Sequence, residues 1–299
     1  MYLCNNRASG DAWPRLKIYR HNMMRRLITI IATLAISASA FGQAQITTRK
    51  EKLSDFTSRT MKVVLPGNHF IDPVLRDALN NTWSISPFEF CTMEEFKSLK
   101  NNEEYYFMLP VKVKYKKETE PGITMMTLVK GKANAKTVND LTEVVSMPVC
   151  AADLPSGREA AMLPGLIDII QGYVSQSLGT NFPGLKTYVR PLGKTNCDRA
   201  VVSEDDIAEC VSQDFREKMK KKGIDITSDA EADSLFLDGG KTLVSYVVTP
   251  GEFHPGAVCW KIVIDARTHE LYYYKKQNLK SAEYAGFLKA DLKKIAKTR

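Results

Sequence analysis

Phe88-Glu89-Phe90-Cys91-Thr92-Met93-Glu94-Glu95-Phe96 changes backbone state within nine residues. The alternating aromatics predict a short strand. Thr92 followed by Glu95 is a capping-box pattern: the threonine side chain accepts from the N3 amide and the glutamate reaches back. The helix so opened is expected to end near Leu99, before Asn101-Asn102. A strand that turns this sharply into a helix lays the helix back on its own sheet. Val201-Val202-Ser203-Glu204-Asp205-Asp206-Ile207 repeats the grammar. Ile207, Val211, Phe215 and Met219 follow at intervals of four, predicting a helix that Gly223 ends. Phe90–Phe96 set against Val201–Ile207 leaves two readings, a chain built twice or two common α+β units with the same grammar.

Working outward through the first half, Met61–Leu65 reads as a strand stopped by Pro66-Gly67. Asp72-Pro73 predicts an N-cap and first helical residue, with the helix running to Trp83. Tyr105–Tyr115 reads as a long strand in which Val111, Val113 and Tyr115 alternate with lysines. Ile123–Lys130 is its expected hairpin partner and Leu141–Val149 a third strand. In the second half, Ser156 and Glu159 cap a helix to about Leu178, whose first turns Pro164-Gly165 are expected to separate or kink. Thr180–Lys194 reads as a loop or edge segment and Arg199–Val202 as a short strand. Glu231–Leu237 reads as a helical turn, Thr242–Val248, Val258–Ile264 and Leu271–Lys275 as strands, and Ser281–Lys297 as a closing basic helix. The expected fold is α+β (α/β-like), with mixed sheets in two similar strand–helix–strand–helix–hairpin halves, 61–150 and 151–299, read either as a pseudo-duplication or as two common units.

Ahead of this lies an address. Arg25-Arg26 precede the apolar run Leu27–Ala38, which is 12 residues long, whereas a membrane span needs about 20. Ala38-Ser39-Ala40 and Gly42-Gln43-Ala44 each fit a cleavage site with small residues at its end. The reading is a signal peptide at 23–44, cleaved after Ala44 in preference to Ala40. Residues 1–22 read as an over-extended start, 45–60 as a flexible lead-in, and translation as starting at Met23 or Met24. The protein is expected to be exported, periplasmic or extracellular, with no permanent membrane span after cleavage.

Residues 1–44 hold six basic side chains and one acidic one, so the formal +8 of the whole chain falls to +3 beyond Ala44. That is no nucleic-acid footprint. Five cysteines follow the signal (Cys91, Cys150, Cys197, Cys210 and Cys259) in no zinc-type spacing. An odd count leaves at least one thiol free. Cys91 and Cys259 read as small core residues, and Cys197 with Cys210 as a candidate disulfide.

Trp83–Phe96, Pro121–Gly131 and the hairpin Ile264–Tyr274 resemble uncharacterised exported proteins of Bacteroidetes. That resemblance spans nearly the whole chain after the signal and implies no activity. The element order of the first half is also similar to the α/β domain of curli-secretion-type lipoproteins and to the TolB amino-terminal domain, a likeness of fold alone.

Chemistry is sparse. There is no P-loop, dinucleotide fingerprint, HExxH or GxSxG. Beyond Ala44 the histidines are His69, His254 and His269. His254 with Glu252 is a candidate ligand pair, weighed against a solvated hairpin loop. His69 is a candidate anion contact ahead of a helix N-terminus. Glu94/Glu95 and Glu204/Asp205/Asp206 read as first-turn acids favoured by the helix dipole. The aromatic runs Tyr105–Phe107 and Tyr272–Tyr274 put rings on both faces of their strands, one of them a possible contact surface. The reading is a binding or assembly module of a bacterial envelope, with no cofactor or metal, its partner an envelope protein or glycan. The rival is an envelope hydrolase with its site near His254.

N-terminal sequencing of the exported protein is expected to return Gln45 as the first residue. A precursor peptide covering Asp11–Lys17 would refute the Met23 start.

Overall fold

The computed structural model describes residues 53–179 and 184–296, together with the backbone pair Ser37–Ala38. The rest of the predicted signal, residues 45–52 of the lead-in and the sequence before them lie outside the described residues; residues 53–60 of the lead-in are packed rather than flexible, with Leu53 and Phe56 buried in the core and Asp55 bonded to Tyr106 and Lys130. Two mixed sheets make up the fold. The first contains β1 (Met61–Val64), β2 (Phe88–Cys91), β3 (Tyr106–Val113), β4 (Ile123–Lys130) and β5 (Thr142–Ala151). Its order is β2-β1-β3-β4-β5, with Ser37–Ala38 lying parallel to the end of β3. The second contains β6 (Arg199–Ser203), β7 (Ile224–Thr227), β8 (Thr242–Val248), β9 (Val258–Asp265) and β10 (Leu271–Asn278). Its order is β7-β6-β8-β9-β10. In each sheet the first three strands are parallel and the last two pairings antiparallel.

The two sheets are the same unit built twice, down to register. Met61 pairs with Phe88 on one side and Tyr106 on the other; Ala200 pairs with Ile224 and Leu243. The last hairpin carries a bulge at the same place in both. Val129 pairs with Glu143 but Leu128 with Val145, and Ile264 pairs with Leu271 but Val263 with Tyr273. At this place one residue is extra in each, Val144 and Tyr272, and the strand bends there; the first hairpin has a second extra residue, Val149, that the other lacks.

The helices repeat as well. α1 (Ile71–Thr82) and α2 (Met93–Leu99) of the first unit correspond to α5 (Gln213–Lys220) and α6 (Asp229–Leu237) of the second. Each unit closes on a helix, α3 (Glu159–Gly179) and α7 (Lys289–Ala296), packed beside α1 and α5 respectively. A short α4 (Leu185–Tyr188) lies between the units. α3 runs through Pro164, so the expected break in its first turns does not separate them.

α3 joins the units. Its Met162, Leu166, Ile170 and Val174 share one core with Met61, Val63 and Leu79 of the first unit and with Val244, Ile262 and Phe236 of the second. A helix apolar on every side is a buried helix. Among the described residues no helix is long and apolar enough to cross a membrane. The other face of the second sheet, with Val202, Leu243 and Val263, is covered by α5 and α7 through Met219, Leu292 and Ile295. The α1/α3 side of the first unit therefore meets the α6 side of the second: the repeats stack front to back.

Several sequence expectations need correction. The helix at 203–222 forms only as α5, and residues 204–212 are irregular. Ile207 and Val211 are spaced helically because both are buried in the outer core, not because they share a helix. The Asp206 carboxylate is drawn inward to Arg158. The matching stretch of Phe88–Leu99 is accordingly Ile224–Leu235, one strand later than Val201–Ile207. There Ser228 takes the place of Thr92 and its side chain accepts from Glu231 N–H, as Thr92 accepts from Glu95 N–H. The closing helix also starts later than expected, at Lys289. Phe287 is held extended, donating its N–H to Asp206 O at 2.7 Å and accepting from Ala208 N–H at 3.2 Å.

One ion pair anchors α7 to its sheet. Lys261 and Asp291 are both fully buried and 2.6 Å apart. Burial alone raises a carboxyl pKa, but the bonds from Lys261, Lys275, Tyr273 and Leu288 N–H outweigh it and hold Asp291 far below the usual range. Removing one member strands a buried charge. Asp291→Ala is expected to lower unfolding free energy by about 3–5 kcal/mol; a Lys261→Met/Asp291→Leu double variant should lose less, both read by urea denaturation.

Candidate functional site

The loop joining β3 to β4 (residues 114–122) and the loop joining β8 to β9 (residues 249–257) hold equivalent places in the two repeats. Front-to-back stacking brings them together. A Cβ on Gly122 would lie 2.7 Å from Pro250 Cγ, 2.8 Å from Glu118 Oε1 and 3.2 Å from His254 Nε2. One on Gly256 would fall 2.3 Å from the Lys117 carbonyl. Both contacts need glycine.

Glu118 is turned inward at this seam. Its Oε2 accepts from Tyr115 N–H at 2.6 Å. Its Oε1 is buried without a hydrogen-bond partner, as is Nε2 of His254, and the two atoms stand 3.9 Å apart. Burial raises the Glu118 carboxyl above the ordinary glutamate range, opposed by Tyr115 N–H and by His254. Beside them Trp260 Nε1–H donates to Tyr115 Oη at 3.1 Å, and Trp260 lies 4.7 Å from Tyr274 between ring centres. Lys276 Nζ sits 3.5 Å from the centre of the Tyr115 ring and 5.9 Å from that of Trp260. Desolvation pulls its pKa down to about 8, against the attraction of Glu118. The seam thus gathers a carboxyl, an imidazole, an amine and three aromatic rings.

A second polar cluster binds the head of α3 to the second sheet. Arg158, at the head of α3, reaches Asp206 and Asp229 at 3.0 Å and Asp233 at 2.9 Å. Asp206 also accepts from Ser245 Oγ and from Val247 N–H. Burial raises the carboxyls of Asp206 and Asp233, opposed by Arg158. Each of these groups has its partners, and the arrangement is that of a tie between α3 and the second sheet.

The candidates named from sequence fall out differently. His254 lies in the seam, but Glu252 is exposed and the carboxyl facing the imidazole is Glu118. His69 is exposed ahead of α1, where the Asn68 side chain takes Phe70 N–H and Ile71 N–H. α1 starts at Ile71 with no side-chain bond from Asp72 as a cap. His269, at φ 52°, bonds Asp168 at 2.5 Å and stacks on Phe236. Glu94 and Glu95 do stand in the first turn of α2, whereas Glu204–Asp206 stand in no helix. The five described cysteines form no disulfide, so the candidate Cys197–Cys210 bridge is not made; Cys197 donates to Asp265 instead. Burial pushes the thiols of Cys91 and Cys259 up to about 11 and of Cys150 to about 12, which leaves them poor nucleophiles. No group of three metal-ligating side chains occurs among the described residues.

Glu118, Lys276 and the aromatic trio were missed as a site because each belongs to a different segment. The one sequence signal was Tyr115 as the last apolar position of an alternating strand.

Comparison with family models, with curated proteins and with solved structures yields no match.

Gly256, at φ +86°, faces the Lys117 backbone, while Gly67, at φ +74°, has nothing near its Cβ position. Gly256→Ala is expected to lower stability by about 3 kcal/mol and Gly67→Ala by about 1 kcal/mol. Thermal unfolding of the two variants side by side checks the difference.

Proposed function

We propose that this chain is an exported envelope protein that works by binding or assembly, with the seam between the repeats as its binding element. The observation that carries this reading is the meeting of the two equivalent hairpin loops. Half-buried Tyr115, Trp260 and Tyr274 line it, and Leu154 and Phe253 stand 51 % and 42 % exposed at its rim. Gly251 places its Cβ position 2.7 Å from Leu154 Cβ, and Asp153 accepts from Gly251 N–H, so these rim residues belong to adjoining loops. Large apolar side chains held outward on adjoining, mutually bonded loops are the usual anchors of recognition. The partner this suits is an envelope protein or a glycan, since aromatic faces serve both. The resemblance to exported proteins of Bacteroidetes supports the compartment and adds no activity.

A second reading, an envelope hydrolase around His254, draws on the approach of Glu118 to His254. Against it, no serine, threonine or cysteine is bonded to either group among the described residues. Without an attacking group of its own, the pair would have to activate water.

The test is cross-linking of the exported protein in intact envelopes, with the cross-linked species identified by mass spectrometry. Phe253→Asp and Leu154→Asp are expected to abolish one defined adduct while leaving thermal stability within about 0.5 kcal/mol. An adduct indifferent to both changes would place binding elsewhere; turnover of ester or glycoside substrates that His254→Gln abolishes would favour the hydrolase.

A further inference from the structure

The amine at the seam differs from the other lysines around it. Lys261 and Lys275 both bond Asp291, Lys130 bonds Asp55 and Lys62 bonds Glu89. Lys276, on β10, has none of these: its Nζ meets the Tyr115 ring at 3.5 Å and the Trp260 ring beyond it. The carboxyl that acts on it electrostatically, Glu118, keeps Oε1 free of any hydrogen bond. Tyr274 Oη and Gln277 Oε1, on the same strand, are also buried without partners. Desolvation without an ion pair disfavours the ammonium, and the attraction of the two ring faces offsets only part of that loss. A neutral lysine amine is a nucleophile toward carbonyl carbon.

We propose that Lys276 is a carbonyl-acceptor site, forming a reversible imine with small aldehydes whose flat apolar part lies against Tyr115 and Trp260. This deepens the reading of the seam as the binding element by naming a ligand class for it. The Nζ lone pair adds to the aldehyde carbon and the C=O π electrons move to oxygen. Both Nζ protons pass in turn to the former carbonyl oxygen, the first giving the carbinolamine and the second completing the water, relayed by solvent water through the Glu118 carboxylate, whose charge acts on Nζ without an ion pair to it. Water leaves as the C=N bond forms, and no oxidant or reductant takes part. His254, with Nε2 3.9 Å from Glu118 Oε1, stands next along the path by which those protons exchange with solvent.

The test uses the full chain, benzaldehyde as probe and cyanoborohydride to trap the imine, with modified lysines mapped by peptide mass spectrometry. At about pH 7.5, Lys276 is expected to react at least about tenfold faster than the exposed Lys218, with a rate that levels off above about pH 8. Glu118→Gln removes a negative charge and so leaves the amine more neutral, yet it is expected to slow the reaction several-fold because the proton acceptor is gone. Labelling of Lys276 no faster than Lys218, or a Glu118→Gln variant that reacts faster, overturns the proposal. Tyr115→Leu gives a check that leaves both ionisable groups in place: loss of preference for benzaldehyde over acetaldehyde is expected, and an unchanged preference counts against the stacking. Failure here with the Phe253-dependent adduct intact would leave the binding reading standing, and the reverse result would leave Lys276 reactive on a seam that binds no partner.

Discussion

Arg158 is the constraint on which the junction of the two repeats depends. A guanidinium taken out of water must be surrounded by acceptors, and this one draws three aspartates and a backbone carbonyl from the second repeat. It stands just ahead of α3, which belongs by chain order to the first repeat. The charge therefore fixes where the helix begins relative to a sheet that forms later in the sequence. It also explains why residues 204–212 are not helical: Asp206 serves Arg158, Ser245 and Val247 N–H together, and a helix from Ser203 would turn that carboxylate outward. Cutting this tie leaves buried charges uncompensated, which is why it governs the geometry more than any single apolar contact.

The duplication lies in backbone register far more than in side chains. Thr92 with Glu95 and Ser228 with Glu231 are the clearest shared residues, because a strand-to-helix turn has few solutions for its free amides. Elsewhere the equivalent positions diverge. Lys130, which bonds Asp55, corresponds in register to Asp265, which accepts from Cys197, Arg267 N–H and Thr268 N–H. Each end of the final hairpin needs a local anchor, and opposite charges can supply it. Sequence pattern therefore showed the kind of most elements and a shared grammar of the halves, while the strand Ile224–Thr227 carried no signal of its own and residues 204–212 read as helix. It misaligned them by one strand, because Ser203-Glu204-Asp205-Asp206 imitates a cap while performing a tertiary task.

The candidate site was legible only in part, for a related reason. His254 is visible as a rare histidine in a Pro/Gly loop, and Glu252 is its obvious neighbour in the chain. Yet a loop residue two positions away shares no face with it by rule, and the true neighbour, Glu118, comes from the other repeat. Lys276 reads as one of two adjacent strand lysines on a solvated edge. Its separation from Lys275 follows from alternation: Lys275 faces α7 and Asp291, Lys276 faces the seam. Alternation was readable in the sequence; what covered each face was not.

Front-to-back stacking has a chemical consequence. Were the repeats related by a two-fold axis, the two equivalent loops would meet through the same surface of each, and any site would occur twice or lie on the axis. Here the contact is heterologous, so the 114–122 and 249–257 loops meet as unlike surfaces. Glu118 approaches from one and His254 from the other, with no second copy of the pair among the described residues. Divergence of the repeats is then tied to the junction itself. Gly122 and Gly256 keep the loops close, and a side chain at Gly122 would push directly on Glu118 Oε1 and His254 Nε2. The enclosure of Glu118 thus depends on a missing side chain, whereas Lys276 is held by the rings of Tyr115 and Trp260.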